Sequence, residues 1–291
     1  MSRFKFAVNT NALSKKMSVP EIAGLCKKTG LDGIEWGLPA IDLIPGVIFD
    51  MQKAAIDNGL EILGYINATH LWKTDNMKRY SELVSKAGGK SLRVMPPWLS
   101  FSYEETIRQK LSCMEYRKLC REGVEKLVPL SKEFGIKYVL EMHMGNVCPS
   151  ADSAVKILDG IDPNCVGIIY DPANGAEEGF TRPVYALEVL GRYHAYTHAK
   201  NLLKLYSGHK VNNGVQRAVW EFKFCSLEDG IVDYMEVIYA LKRIGYHGWI
   251  SFEEFFGAAP EIEISRALAF LKHCEQAVPD VPQEPYLTFN D

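Results

Sequence analysis

The sequence is short of several features that would settle its class at once. Nowhere in its 291 residues is there an apolar run of about 18, so no segment reads as a membrane-spanning helix. The opening stretch MSRFKFAVNT passes directly into alternating apolar residues and has no 7–15-residue signal core, so we expect an unprocessed, cytoplasmic protein with no membrane partner. An excess of one charge is missing too. The 33 Lys+Arg against 36 Asp+Glu leave a net charge of −3, which offers nothing to a phosphate backbone, and nucleic acid is not expected as a partner. The seven cysteines are odd in number and scattered without a CxxC pair, which argues against a disulfide framework and against a structural zinc. No GxGxxG follows a strand and no P-loop is present, so neither a dinucleotide fingerprint nor a phosphate cradle can be read.

What the sequence does contain is alternation. Short β-branched or aromatic runs recur at Phe4–Asn9, Gly33–Trp36, Glu61–Asn67, Ser91–Met95, Lys137–Glu141, Val166–Tyr170, His194–His198 and Trp249–Glu253. Helical patterns separate them, at 19–29, 48–58, 76–88, about 104–134, 151–159, 183–191 and 231–244, and a last one at 260–275 follows the eighth strand. Three segments, KKTGLDGIEW, SKEFGIKYVLE and LKRIGYHGWISFE, repeat one pattern: a basic helix end, a glycine just past it, a short turn and a strand. Eight βα units with no linker between them predict the α/β class and a single (β/α)8 TIM barrel over 1–277, with an extended Pro-rich tail at 278–291. Residues 199–228, polar and aromatic, read as a long loop leaving the seventh strand, a lid or substrate loop on the face where barrel sites are built.

Four consecutive strands end in a potential metal ligand: Glu141 after YVL, Asp171 after GIIY, His198 in YHAYTH and Glu253 after WISF. In a barrel these ends converge on one mouth. A carboxylate behind an apolar strand costs several kcal/mol to bury unless it is paired or coordinated, and three such cases call for a common partner. Each alone has a plainer reading, as the cap of the next helix or the partner of an arginine. Three carboxylates and an imidazole make a hard, oxygen-rich set, suited to Mn²⁺ first and to Mg²⁺ or Co²⁺ as alternatives. Glu253 is preferred to Glu254, which strand alternation turns the other way.

These strand ends, together with the E-x-H of Glu141 and His143, the D-P-x-N of Asp171 to Asn174, the H-x-K of His198 and Lys200, the GLDGIEW unit, DGIVDYMEVI and GYHGWISFEE, resemble the xylose isomerase-like barrel superfamily, within it the sugar phosphate isomerase/epimerase family. The resemblance covers nearly the whole chain. It implies one divalent metal ion held by Glu141, Asp171, His198 and Glu253, with His143, Lys200 and Arg93 touching substrate. Glu35 and His70, at or just past strand ends, are further candidate substrate contacts, and Trp36, Trp72 and Trp98 are candidate walls of the mouth. Arg93, inside an apolar strand, needs an anion, either a structural carboxylate or a substrate group.

The implied activity is isomerisation or epimerisation of a small keto-sugar or polyol-derived substrate, by proton transfer through a metal-stabilised enediolate with Glu141 and Glu253 as the catalytic pair. The same barrel and metal also suit a lyase, a dehydratase of the inosose or 3-dehydroshikimate type, which HAKN and DGIVDY resemble. An endonuclease of the superfamily would need more histidine ligands and a basic face, and both are missing. The partner expected is a sugar-like small molecule, and a homo-oligomer is left open.

Overall fold

The computed structural model describes residues 2–37, 45–70, 76–100, 102–106, 108–179, 181–253 and 259–281, leaving out the side chains of 67–70, 103 and 104. Eight parallel strands close into a barrel: β1 (Lys5–Asn9), β2 (Gly33–Gly37), β3 (Glu61–His70), β4 (Ser91–Met95), β5 (Lys137–Glu141), β6 (Val166–Tyr170), β7 (His194–Ala199) and β10 (Trp249–Phe252). Around the barrel they run β1-β10-β7-β6-β5-β4-β3-β2, so β5, β6, β7 and β10 are four adjacent staves. Helices α1 (Val19–Thr29), α2 (Pro45–Asp57), α3 (Met77–Lys86), α4 (Tyr103–Thr106), α5 (Cys113–Phe134), α6 (Ala151–Leu158), α7 (Pro172–Glu178), α8 (Pro183–Leu190), α9 (Tyr234–Arg243) and α10 (Pro260–Ala277) connect and cover them.

Local chemistry sets the joints. The three repeated segments turn at Gly30, Gly135 and Gly245, with φ of 78°, 65° and 70°, a left-handed conformation that costs any residue with a Cβ but not glycine. The helix expected over 104–134 is two helices. Ser112 accepts a hydrogen bond from the Glu115 N–H while Glu115 accepts one from the Ser112 N–H, and this reciprocal cap starts α5 afresh at Cys113. Residues 199–228 are not a loop. β8 (Asn201–Asn212) and β9 (Val215–Cys225) pair antiparallel into a ribbon closed at Asn213 and Gly214, both at positive φ (49° and 79°), the two-residue turn that suits twisted strands. The start of the predicted tail packs rather than trailing free: Val278 is buried, and Asp280 Oδ1 lies 3.3 Å from Lys242 Nζ; residues 282–291 of it lie outside the described residues.

Most of the apolar core fills the layer between barrel and helices. A smaller cluster, Ala7, Leu63, Val139, Ile169 and Tyr196, plugs the barrel itself. Strand side chains alternate, so the residue two places on from a plug residue in a regular strand faces the same interior one layer higher. For Ala7, Val139, Ile169 and Tyr196 those positions are Asn9, Glu141, Asp171 and His198, while Tyr65, two on from Leu63, packs in the outer core, and the period of the strands thus sets a polar layer on the apolar plug at the C-terminal mouth, where barrel chemistry is housed.

Candidate metal centre at the barrel mouth

Glu141, Asp171, His198 and Glu253 each offer one ligand atom, and these four atoms all lie within 4.8 Å of one another. Glu141, Asp171 and His198 are fully buried and Glu253 is 8% exposed, so the cluster is sealed except on the Glu253 side. His198 Nδ1 lies 3.2 Å from Glu141 Oε1 and 3.5 Å from Glu253 Oε2. The plainer single-residue readings are realised as well: Asp171 Oδ1 caps α7 by accepting from the Asn174 N–H at 2.9 Å, and Glu141 Oε2 accepts from Arg93. They leave other oxygens for the cluster, since each carboxylate has two.

The remaining expected site residues divide. Lys200 is buried, its Nζ 2.8 Å from Glu253 Oε2 and 3.0 Å from Asp171 Oδ2. Arg93 finds its anion in the protein, at Glu141. His143 is half-buried, donates or accepts no bond within the cluster, and has Nδ1 2.9 Å from the Met144 carbonyl and its ring edge-on to Trp98 at 5.0 Å. Glu35 is completely buried beneath His198 and not open to the mouth. His70 ends β3, but its side chain, like Trp72 and Glu254, lies outside the described residues. Trp36, expected as a wall of the mouth, is fully buried in the core between barrel and helices.

Sequence reasoning missed four groups. Asn9 donates from Nδ2 to Glu253 Oε1 at 2.8 Å, and Asn174 donates from Nδ2 to Glu141 Oε1 at 3.2 Å and to the Met142 carbonyl at 3.1 Å. Tyr196 and Ser251 donate their hydroxyls to Glu35. Two of them carried a signal, Asn9 as a polar residue closing an apolar strand and Asn174 as the last residue of the D-P-x-N motif.

Electrostatics tie the cluster together. Burial alone raises every carboxylate here, but Arg93 and His198 beside Glu141 hold it well below the usual range, and Lys200 with His198 brings Glu253 down to about 2. Asp171 goes the other way: burial, with Glu141 and Glu253 adding to it, outweighs Lys200 and leaves it raised. Burial would neutralise His198, yet Glu35, Glu253 and Glu141 around it raise it well above an ordinary imidazole.

These residues fit a divalent cation. Four carboxylates, counting Glu35, face two fixed cations, Arg93 and Lys200, so the interior holds surplus negative charge around an imidazole nitrogen. The buried Asp171 Oδ2 is paired with Lys200 Nζ at 3.0 Å and, with two lone pairs, keeps room to face a cation as well. Oxygen and imidazole donors with no thiolate suit Mn²⁺, Mg²⁺ or Zn²⁺.

The family model for the xylose isomerase-like TIM barrel matches residues 23–274. The chain belongs to this family. Within it, the inosose dehydratase of Geobacillus kaustophilus is 29% identical over 160 residues, 52% of this chain and 49% of that protein. The chain spans about half the length of the curated relatives it matches. Among solved structures, the apo 3-keto-D-glucoside 4-epimerase of E. coli superposes with a TM-score of 0.72 over 93% of this chain and 100% of that one, at 18% identity. The IOLI protein, solved with a binding zinc atom, gives 0.71 over 95% and 100%, also at 18% identity. The two solved structures share the barrel. Among the described residues no helix is long and apolar enough to cross a membrane.

Proposed function

We propose that this protein is a divalent-metal-dependent isomerase or epimerase that moves a proton at the carbon beside the carbonyl of a small keto-sugar or polyol-derived ketone. The observation that carries this reading is the convergence of Glu141, Asp171, His198 and Glu253 within 4.8 Å at the mouth of the barrel. A divalent ion held by these four, Mn²⁺ in our assignment, would polarise the carbonyl and stabilise the charge that proton removal places on oxygen. The protein groups do the rest. Glu141 closes β5 and Glu253 directly follows β10, at the two ends of the four adjacent staves, and each is held by a separate donor, Arg93 or Asn9. One takes the proton and the other returns it to the opposite face, which is epimerisation. A single glutamate working on one face would give aldose–ketose isomerisation. In this reading Lys200, buried beside Glu253, hydrogen-bonds a substrate oxygen, and His143, beside Trp98, meets the part of the substrate nearer solvent.

A second reading, dehydration, is supported by the similarity to inosose dehydratase and by Lys200. There a glutamate takes the proton, the C–H electron pair forms the C=C bond, the β C–O bond breaks, and Lys200 protonates the departing hydroxide to water. We place either activity in the cytoplasm. The test is incubation in D₂O with ketoses, inososes and 3-dehydroshikimate, followed by NMR with and without a chelator. Chelator-sensitive deuterium incorporation with an isomeric product supports the first reading, and loss of water supports the second. Silence across the panel with metal bound contradicts the substrate class.

A further inference from the structure

We propose that Glu35 is a positioning residue of the metal centre: its carboxylate holds His198 by Nε2 and so aims Nδ1 at the cluster. The inference rests on the reading of that cluster as a metal site. His198 Nε2 lies 3.1 Å from Glu35 Oε2 and 3.2 Å from Oε1, while Nδ1, on the other side of the ring, faces Glu141 and Glu253. An imidazole that gives one nitrogen to a cation carries its proton on the other, and in a dry interior that N–H needs an acceptor. Glu35 supplies it from a different strand, β2, which is not a neighbour of β7 in the barrel.

Glu35 is itself fixed. Tyr196 donates its hydroxyl to Oε1, and Ser251 donates to Oε2 at 2.6 Å, so β7 and β10 clamp a carboxylate that β2 delivers. Glu35 is not one of the four residues whose ligand atoms lie within 4.8 Å of one another, which separates it from the ligand candidates. It also sits at the floor of the polar layer, over a plug that is otherwise Ala7, Leu63, Val139 and Ile169 with the ring of Tyr196. A merely structural filler there would be apolar, since a buried carboxylate is expensive. The arrangement is that of a carboxylate–histidine–metal relay, in which removing the outer group weakens metal binding by about 10- to 100-fold.

The experiment is competition of chelator-stripped protein with a chromophoric chelator for Co²⁺ and Mn²⁺, together with the visible spectrum of the Co²⁺ form. Glu35→Gln, which keeps the volume, should bind about 10- to 100-fold more weakly and shift the Co²⁺ bands. Tyr196→Phe and Ser251→Ala, which leave Glu35 in place but loosen it, should lose less in the same direction, and they carry the test if Glu35→Gln does not fold. In a His198→Ala background Glu35→Gln should cost no further affinity, because its effect passes through the imidazole. Wild-type affinity in the Glu35 variant, or an undiminished loss in the His198→Ala background, overturns the inference while leaving the metal centre standing. Wild-type protein that binds neither ion overturns the metal centre itself.

Discussion

Lys200 Nζ lies 2.8 Å from Glu253 Oε2, so a buried cation and a proposed proton-transfer carboxylate share one hydrogen bond. Lys200 is the largest influence drawing Glu253 down to about 2 against its burial. A group lowered in this way is ionised at every pH above that value. Removing the cation leaves the carboxylate buried with less compensation, and its pKa rises. Lys200→Met should therefore retain metal, lose rate by about 10- to 100-fold, and move the acid limb of the kcat/KM profile to higher pH. A pH–rate profile on both proteins checks this, and an unmoved acid limb would contradict the pairing.

The two glutamates are expected to act as proton-transfer groups as well as ligands. Glu141→Gln and Glu253→Gln keep shape and remove the basic oxygen, and each should lower turnover by about 10²- to 10⁴-fold. Single-turnover kinetics with saturating metal separates this from weakened binding. Near-normal turnover in either variant would remove that glutamate from the proposed role.

Asp171 carries two duties that substitution can pull apart. Its Oδ1 caps α7, and Oδ2 faces the cluster. Asn caps as well as Asp, so Asp171→Asn should keep the stability of the metal-free fold but lose metal affinity. Asp171→Ala should lose both, with a capping cost of about 0.5–2 kcal/mol. Thermal unfolding of the stripped proteins and metal titration measure the two effects independently.

A further histidine gives a pH dependence remote from catalysis. His194, at the start of β7, is buried against Tyr246 with ring centroids 4.5 Å apart, and burial, reinforced by Lys137, lowers it to about 3. The unfolded chain takes up this proton below about pH 6.5, whereas the folded chain stays neutral until about pH 3, so stability is lost as pH falls through that window. Between pH 8 and pH 5 the loss from this group is about 2 kcal/mol. Denaturant melts of wild type and His194→Phe at the two pH values should show a correspondingly flatter response in the variant.

The parts of the architecture legible in the sequence were those with one buried face or two. β6 is apolar throughout, and β4 and β5 are apolar apart from Ser91, Arg93, Lys137 and Glu141, because both faces are covered, and their limits stand out against flanking glycines and charges. The ribbon β8–β9 was not legible as strand because much of it is exposed, Tyr206 and Trp220 each at 53%, so no apolar face marks its alternation; the Asn213–Gly214 turn between Val211 and Val215 was the available signal. The break before α5 was hidden for the opposite reason, since apolar periodicity runs on either side of Ser112 and only the Ser112–Glu115 cap interrupts it. In the candidate site the four ligand positions were readable because each ends an apolar strand with an ionisable group. The place of Glu35 was not, since its partners Tyr196, His198 and Ser251 come from β7 and β10, which are not neighbours of β2 in the barrel and lie more than 160 residues away in sequence.

The central claim is that Glu141, Asp171, His198 and Glu253 form one divalent-metal site. Its most direct test is calorimetric titration of Mn²⁺ into chelator-stripped wild type and the His198→Ala variant at pH 7.5. The account predicts a single saturable site in wild type and markedly weaker binding in the variant. Wild type that takes up no Mn²⁺ at millimolar concentration, or a His198→Ala variant that binds it as tightly as wild type, would contradict the account.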